Sequence, residues 1–315
     1  MPYKSAVLSL NHALAVVRRR RWRLPSGFTT GGYIIDDILR RSRPLPTYIC
    51  VTCGTQFPPV QRPMKRCPIC EDERQYIGLK GQQWITLDDL QSAHHNALYP
   101  ESPKVWGIGT EPKFAIGQRG LLIQNNAGNI LWDCISLVDS DTIARIQALG
   151  GISTIAISHP HYYASMVEWS RAFGGAPIYL HEDDRQWVQR PDPCIRFWQG
   201  ETHTLSGAFT LIRIGGHFAG YQVLHWREGD DGLGSLFAGD LPQVCMDRRW
   251  VSFMYSYPNY LPLSAASVNR IVGALEPLAF GKLFGAWPGF VIHADAKSVV
   301  RLSAERYLKA LTIER

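Results

Sequence analysis

The sequence predicts an α/β fold of mixed β-sheets with helices on the outer faces, preceded by a small cysteine-containing unit. Strand pairs come first in the larger part of the chain, strands that alternate with helices follow, and strand pairs return near the C-terminus. The 315 residues, of which 45% are hydrophobic, suffice for one sizeable core and a small appendage. We therefore divide the chain into an arm at 1–45, a cysteine region at 46–100 and an α/β region at 101–315.

The α/β region is predicted to open with a β-hairpin. Residues 120–123 are apolar, the turn residues 125–128 follow, and residues 130–132 are apolar again. The segment before it, residues 101–110 (ESPKVWGIGT), has the composition of a linker.

Helices and strands alternate after the hairpin. Residues 140–151 start with Ser-Asp, have apolar positions at helical spacing and stop at two glycines, which predicts a helix. Residues 152–158 (ISTIAIS) are rich in β-branched side chains and predict a buried strand. The same reasoning gives helices at 166–175 and 264–278 and strands at 176–180, 208–216, 222–226, 235–239 and 290–292. The C-terminal residues 298–311 are amphipathic.

Positive charge is concentrated in the N-terminal arm. Residues 1–49 contain nine Lys or Arg residues and two acids, whereas the whole chain has a net charge of +6, so the remainder is close to neutral. Charge therefore gives no reason to expect a nucleic-acid-binding surface on the main body.

The composition also bears on the compartment. The longest apolar stretch of the arm, residues 6–17, is shorter than the roughly 18 residues that span a bilayer, and it is interrupted by Asn11 and His12. Seven cysteines, an odd number, argue against a disulfide framework and for a reducing, cytoplasmic location. The arm is read as an unstructured basic segment; its Arg-rich, acid-poor start is also typical of mitochondrial presequences, which is the alternative.

Four of the cysteines form two C-x-x-C pairs. Cys50 and Cys53 make up the first pair, and Cys67 and Cys70, separated from it by 13 residues, make up the second. Each pair presents two thiolates from one tight turn, and two such turns complete the tetrahedral coordination of zinc. We therefore predict a small zinc ribbon with a structural ion, although iron in a rubredoxin-like site uses the same ligands.

Side chains of metal-ligand type follow four different predicted strands. Each of these strands ends on a short loop, and a loop that follows a strand is rigidly placed. A single histidine in such a place is more often structural, but several in succession indicate one metal site. In chain order the residues are His159, His161, His217, Asp240 and His293.

This succession resembles the metallo-β-lactamase superfamily, whose pattern is H-x-H-x-D-H, then H, D and H, each at a strand end. The resemblance covers about residues 113–295 and implies an αββα sandwich, a metal-dependent hydrolase activity, and the five residues just named as metal ligands. Asp133 occupies the place of an early family aspartate, and His181 that of a structural histidine.

The first motif departs from the family pattern. Tyr163 stands where the family has its aspartate, and Ala164 where it has a histidine of the second metal site. The site of three histidines therefore survives, while the second site keeps at most Asp240 and His293. We expect one tightly held metal ion, and a second that is absent or weakly held.

Three neutral imidazoles with an open position are the arrangement of a catalytic zinc, which lowers the pKa of a bound water to about 7. Asp240 is expected to ligate, bridge or orient that water. Tyr163 cannot act as a base at neutral pH, because a tyrosine hydroxyl has a reference pKa of about 10 and keeps its proton. Its hydroxyl is expected either to donate to a developing oxyanion or simply to pack in the vacated second site.

The segment after Asp240, residues 247–263, is rich in aromatic residues and is expected to wall the mouth of the site. Within it, Arg248 and Arg249 are candidates to bind a carboxylate or phosphate, and Tyr255 and Tyr257 to form an apolar pocket, with ordinary packing as the alternative.

The leading interpretation is hydrolysis of a small-molecule ester, thioester, lactone or amide with one catalytic and one structural zinc ion. A mononuclear iron oxidoreductase of the same fold, acting on a sulfur compound, is the first alternative, since the histidine site also accepts iron. A degenerate, non-catalytic member that binds a partner or nucleic acid is the second.

Overall fold

The computed structural model describes residues 45–229 and 232–312, and the arm predicted at 1–45 lies outside them except for Leu45. The described residues form one compact unit. No helix in the described ranges has the length and apolarity that crossing a lipid bilayer requires.

A small lobe built around the cysteines, residues 47–86, comes first, and we call it the cysteine lobe. Its three-stranded antiparallel sheet has the order β2-β1-β3. The short helix α1 carries the second cysteine pair. The elements are β1 (Thr47–Cys50), β2 (Gln56–Pro59), α1 (Pro68–Glu71) and β3 (Trp84–Thr86).

A seven-stranded mixed sheet follows, with the order β10-β9-β8-β7-β6-β5-β4. The predicted hairpin is confirmed as the antiparallel pair β6–β7, and the predicted strand at 152–158 is β8, parallel to β7. The elements are α2 (Leu87–Ala93), β4 (His95–Ser102), β5 (Val105–Glu111), β6 (Arg119–Ile123), β7 (Ile130–Trp132), α3 (Ser140–Ala148), β8 (Thr154–Ala156), α4 (Met166–Ala172), β9 (Ile178–His181) and β10 (Ile195–Trp198).

The linker predicted at 101–110 is wrong, because this segment belongs to the antiparallel pair β4–β5 at the edge of the sheet. The glycines that suggested a linker have a packing role. A Cβ atom on Gly107 would lie 2.2 Å from the ring of Tyr99 on the paired strand, so glycine lets this ring lie flat across the sheet. The sheet therefore begins at His95, within the range assigned to the cysteine region.

A second, six-stranded sheet has the order β11-β12-β13-β14-β19-β20. β14 and β19 are parallel, and the other neighbours are antiparallel. The elements are β11 (Thr202–Ser206), β12 (Phe209–Arg213), β13 (Gln222–Trp226), β14 (Ser235–Gly239), β15 (Gln243–Val244), β16 (Val251–Ser252), β17 (Met254–Ser256), β18 (Leu261–Pro262), α5 (Ala265–Leu275), β19 (Lys282–Gly285), β20 (Val291–Ile292) and α6 (Ala296–Thr312).

The layers of the sandwich follow from three hydrophobic clusters. Side chains from both large sheets meet in the central cluster, where the rings of Phe237 and Phe284 stack 4.8 Å apart between centroids. A second cluster joins the outer face of the six-stranded sheet to α5 and α6. A third joins the outer face of the seven-stranded sheet to α3 and α4. The predicted sheet-rich sandwich with helices outside is thus confirmed.

Gly239, at the end of β14, is expected to tolerate no side chain. Its φ angle is +62°, and an added Cβ would lie 2.8 Å from the hydroxyl oxygens of Ser158 and Tyr221. We expect Gly239→Ala to lower the free energy of unfolding by at least about 2 kcal/mol, from backbone strain and overpacking together. Urea unfolding measures this. Gly273→Ala in α5, where a Cβ meets nothing within 4 Å, is the control and should not destabilise the protein.

Candidate functional site

Four buried side chains of metal-ligand type converge where the two large sheets meet. They are His159, His161, His217 and Asp240, and one ligand atom from each lies within 4.8 Å of those of the other three. The ring centroid of His159 is 5.0 Å from that of His161 and 5.0 Å from that of His217, and the last two are 5.1 Å apart. The sequence predicted these four residues as ligands of one ion.

Strand ends and hydrogen bonds fix the position of His159. The main-chain N–H and the hydroxyl of Ser158 both donate to Oδ1 of Asp133, at 2.7 and 2.8 Å. The Ser158 hydroxyl also lies 2.9 Å from Nδ1 of His159. The carbonyl of Ser158 accepts from the N–H of Gln222, which links this loop to the six-stranded sheet. Asp133, the early aspartate of the family pattern, thus holds the first histidine loop.

Hydrogen bonds also hold the ring of His217 and the main chain of His161. Nδ1 of His217 donates to the carbonyl of Tyr255 at 2.5 Å, which leaves the lone pair on Nε2 free to bind an ion. His161 lies in the 3-10 turn Pro160–Tyr162, and its carbonyl accepts from the side chain of Gln118 at 3.2 Å.

The spacing of the ligand atoms fits a tetrahedral ion. Two nitrogens bound to zinc at about 2.0–2.1 Å lie about 3.3 Å apart. Nδ1 of His161 is 3.3 Å from Nε2 of His217, and Nε2 of His159 is 3.5 Å from Oδ2 of Asp240. Nε2 of His159 is also buried without a hydrogen-bond partner among the described residues, which a cation would remedy. These four residues therefore fit a metal ion.

Burial sets the charge state of these groups. It lowers the pKa of His217 to about 3, and lowers the pKa of His159 and His161 well below the usual value for histidine. Neutral imidazoles are the form that binds metal ions. Burial raises the pKa of Asp240 to about 7, against the opposing effect of the Tyr221 hydroxyl.

The hydroxyl of Tyr221 organises the turn that carries Asp240. It accepts from the N–H groups of Asp240 and Leu241 at 2.9 and 2.8 Å, and donates to the carbonyl of Ala238 at 2.7 Å. Oδ1 of Asp240 lies 3.1 Å from the same hydroxyl oxygen. The tyrosine thus ties the aspartate to the end of β14.

We expect Tyr221→Phe to lower the free energy of unfolding by about 1–3 kcal/mol, because the buried N–H of Asp240 loses its acceptor and that of Leu241 keeps only a longer bond, 3.3 Å, to the carbonyl of Ala238. Chemical denaturation measures the loss. Tyr260→Phe is the matched control, since the side chain of Tyr260 is 85% exposed. Equal stability of the two variants would contradict this assignment.

His293 is not part of the site, which corrects the prediction that it is a ligand. Its side chain is exposed and lines a surface groove with Arg248 and Arg249. The reason is strand direction: β20, which precedes His293, runs antiparallel to β19, whereas β14 runs parallel to it. The ends of β14 and β20 therefore lie at opposite edges of the sheet.

The residue beside Asp240 comes from the end of β19 instead. Gly285 is the register partner of Gly239, so Ala286 and Trp287 follow β19 next to the turn that holds Asp240. Trp287 lines a cavity with His161, His217 and Asp240. An indole therefore occupies the neighbouring strand end where the sequence led us to expect an imidazole.

Three further predictions need correction. Tyr163 is buried in the hydrophobic cluster on the outer face of the seven-stranded sheet, and its hydroxyl donates to the carbonyl of Asp184 at 3.5 Å. It packs and does not reach the cavity. Arg249 pairs with Asp247 at 2.7 Å on the surface. Arg248 donates to the carbonyl of Gly289 at 3.0 Å and stacks on Phe290, so neither arginine walls the site.

Of the two tyrosines predicted to form the pocket, Tyr257 lines the cavity and Tyr255 does not. Tyr257 lines the cavity and donates to the main-chain carbonyl of Asp240 at 2.7 Å. Tyr255 accepts from His217 through its carbonyl, and its hydroxyl donates to Glu73 at 2.8 Å.

The cavity beside the four ligand residues has a volume of about 330 Å³. Its lining consists of Arg74, Gln75, Tyr76, Ile116, His161, His217, Asp240, Tyr257, Pro258 and Trp287. Oε1 of Gln75 and Nε2 of His161 are buried there without a hydrogen-bond partner among the described residues. A wider groove of about 660 Å³ beside β10 contains none of the ligand residues, so we place the site in the smaller cavity.

Arg74, Gln75 and Tyr76 were not predicted. They belong to the cysteine lobe and lie more than 80 residues before the first ligand histidine in the chain. The sequence contains one signal for them, the charged run EDER directly after Cys70, whose last residue is Arg74.

The four cysteines of the lobe form a second candidate metal site. Their sulfur atoms are buried and mutually close, with Cys50 Sγ 3.5 Å from Cys70 Sγ and Cys53 Sγ 3.7 Å from Cys67 Sγ. Sulfurs bound to a tetrahedral zinc ion at about 2.3 Å lie about 3.8 Å apart. None of the seven cysteines, all of which lie in the described ranges, forms a disulfide. Four converging thiols at this spacing fit a closed metal site.

Comparisons with known proteins agree with the fold. No family model matches the chain. The structure is similar to that of VMB-1, with a TM-score of 0.52 and 15% identity over 69% of this chain and 99% of the other. DIM-1 metallo-β-lactamase has a TM-score of 0.51 and 11% identity over 69% of this chain and 99% of its own. The metallo-β-lactamase from Pontibacter korlensis has a TM-score of 0.50 and 15% identity over 68% of this chain and 99% of its own. At these identities the likeness concerns the fold alone.

The sequence itself is similar to that of YmaE from Bacillus subtilis (strain 168). The two are 50% identical over 272 residues, which cover 86% of this chain and 98% of YmaE. The chain therefore belongs to the same family as YmaE, and its described part has the metallo-β-lactamase fold.

Proposed function

We propose that the protein is a metal-dependent hydrolase of small molecules, with one catalytic ion held by His159, His161 and His217 and with Asp240 placed to ligate it or to orient its water. The observation that carries the proposal is the convergence of three buried imidazoles and a carboxylate, with ligand atoms within 4.8 Å of one another, beside a cavity of about 330 Å³. In a structural metal site, protein ligands fill every coordination position. A catalytic site leaves one position open toward a cavity that admits substrate.

An ion in this position supplies an activated water and polarises a carbonyl group. The chain's own residues orient the ligands and shape the cavity. Ser158 and the carbonyl of Tyr255 orient the imidazoles of His159 and His217. Ile116 and Trp287 give the cavity an apolar wall that limits access of bulk water.

We propose a single ion at this site. Two positions of the second-site pattern hold Tyr163, whose hydroxyl bonds to the main chain, and Ala164, which has no ligand atom. The remaining expected ligand, His293, is exposed on the surface. Of the second set only Asp240 lies at the cavity, and one carboxylate does not hold a second ion.

The proposed substrate is a small ester, thioester, lactone or amide. A volume of about 330 Å³ admits a molecule of modest size. Gln75 presents a buried carbonyl oxygen without a partner among the described residues, which suits a hydroxyl or N–H donor on the substrate. The lining rings of Tyr76, Tyr257 and Trp287 suit an apolar group beside it.

We further propose that the four cysteines hold a structural zinc ion. The site is closed, because the four sulfurs complete a tetrahedron and all four residues are buried. Burial raises the pKa of the Cys53 thiol, so binding of an ion must release protons from the thiols.

The test combines elemental analysis with turnover. The purified full chain should contain zinc, and should hydrolyse at least one of a set of small chromogenic esters, thioesters, lactones and amides. His217→Ala should abolish turnover, and His293→Ala should leave it unchanged. Iron at the histidine site together with oxygen uptake, or salt-dependent nucleic-acid binding without turnover, would overturn the proposal.

A further inference from the structure

The cysteine lobe contacts both loops that carry the ligand histidines. The first contact lies beside the first cysteine pair. The N–H of Gln56 donates to the carbonyl of Ala164 at 3.0 Å, shortly after His161. The carbonyl of Gly54 accepts from the Ser136 hydroxyl at 2.8 Å, and a side chain at Gly54 would collide with that hydroxyl at 2.5 Å. The turn of the first pair is therefore packed tightly against the sandwich.

The second contact leaves the second cysteine pair directly. Arg74 lies four residues after Cys70, and its Nη1 donates to the main-chain carbonyl of His217 at 3.1 Å. Its guanidinium lies 3.9 Å from the centre of the Phe218 ring, the residue after that histidine. Asp72 fixes the guanidinium, because Nη2 of Arg74 donates to Oδ2 of Asp72 at 2.7 Å.

The same segment is held from the opposite side. Nδ2 of Asn259 donates to the carbonyls of Glu73 and Gln75, at 2.8 and 3.1 Å. The hydroxyl of Tyr255 donates to the carboxylate of Glu73 at 2.8 Å, and the carbonyl of Tyr255 is the acceptor for Nδ1 of His217. The backbone and the ring of His217 are thus both attached to partners that depend on residues 72–75.

We propose that Arg74 is a positioning residue that couples the two metal sites, so that an ion on the four cysteines strengthens ion binding by the three histidines. This inference rests on the proposed function for the existence of both sites. An ion at the cysteines fixes α1 and the residues that follow it, and Arg74 transmits that order to His217. Because coupling between two binding events is reciprocal, each ion raises the affinity for the other.

Cobalt(II) tests the coupling, since thiolate-to-cobalt charge-transfer bands identify the cysteine site and weaker d–d bands identify the histidine site. We expect Arg74→Ala in the full chain to weaken cobalt binding at the histidine site about 5- to 100-fold and to change the d–d bands. The charge-transfer bands should be unchanged. Arg74→Lys, which keeps one donor and the charge, should restore part of the affinity.

Arg249→Ala is the matched control. Arg249 also pairs with an aspartate two residues earlier, Asp247, but lies on the surface away from the cavity. It should leave both sets of bands unchanged. Should Arg74→Ala disturb the charge-transfer bands as well, Asn259→Ala provides the second variant, because it loosens the segment and retains the arginine. It should weaken the histidine site in the same direction.

Two results distinguish a failure of the proposed function from a failure of the coupling. A wild-type protein without d–d bands from a nitrogen site overturns the proposed function itself. A wild-type protein with both sets of bands, together with unchanged histidine-site affinity in Arg74→Ala and Asn259→Ala, overturns the coupling alone.

Discussion

Replacement of His161 by alanine is expected to remove one equivalent of metal and all metal-dependent turnover, while the ion at the cysteines remains. The ring of His161 is buried, and its Nδ1 lies 3.3 Å from the ligand atom of His217. Alanine supplies no ligand atom, so two imidazoles and one carboxylate remain at the site. Elemental analysis after gel filtration counts the equivalents directly.

His293→Ala is the control for this experiment, because the two histidines were equally plausible ligands from sequence. His293 is exposed, and its loss should change neither the metal content nor the turnover. If His161→Ala retains the full metal content, or if His293→Ala loses an equivalent, the assignment of the site is wrong.

Replacement of Cys67 by alanine is expected to remove the other equivalent and to unfold the cysteine lobe. The hydrophobic cluster of this lobe consists of the four cysteines with Phe57 and Ile69, so little core remains without an ion. Structural zinc contributes about 10–16 kcal/mol of apparent binding free energy in small zinc domains. That is comparable to the whole stability of a typical domain, about 5–15 kcal/mol.

Limited trypsin digestion measures this loss of structure, because the lobe offers cleavage sites at Lys65 and Arg66. Cleavage there should be much faster in Cys67→Ala than in the wild type. Cys245→Ala is the control, since this half-buried thiol belongs to neither candidate metal site. Equal cleavage rates in the wild type and in Cys67→Ala would show that the lobe folds without its ion.

Local patterns predicted most of the elements, and four of the five residues that the sequence proposes as ligands lie together in the structure. Hydrophobic periodicity and glycine stops predicted α3, α4 and the hairpin β6–β7, because those signals act over a few residues. The same signals placed His159, His161, His217 and Asp240 at strand ends.

The direction of a strand in its sheet is not a local property, and this is why His293 was misjudged. Both β14 and β20 are short, apolar and followed by a residue that binds metals. Only the pairing with β19, parallel for one and antiparallel for the other, decides which end faces the site. Likewise, the closeness of Arg74 to His217, 143 residues apart in sequence, depends on the complete fold.

The docking of the cysteine lobe has a consequence for how the chain is divided in the laboratory. A fragment that begins after residue 86 would look like a self-sufficient catalytic domain, since it retains every proposed ligand of the histidine site. It would nevertheless lose three side chains of the cavity wall and expose the face of Phe218 that Arg74 covers. The smallest portion that preserves the pocket therefore starts ahead of the first cysteine, and trimming the protein to its sandwich removes part of the site under study.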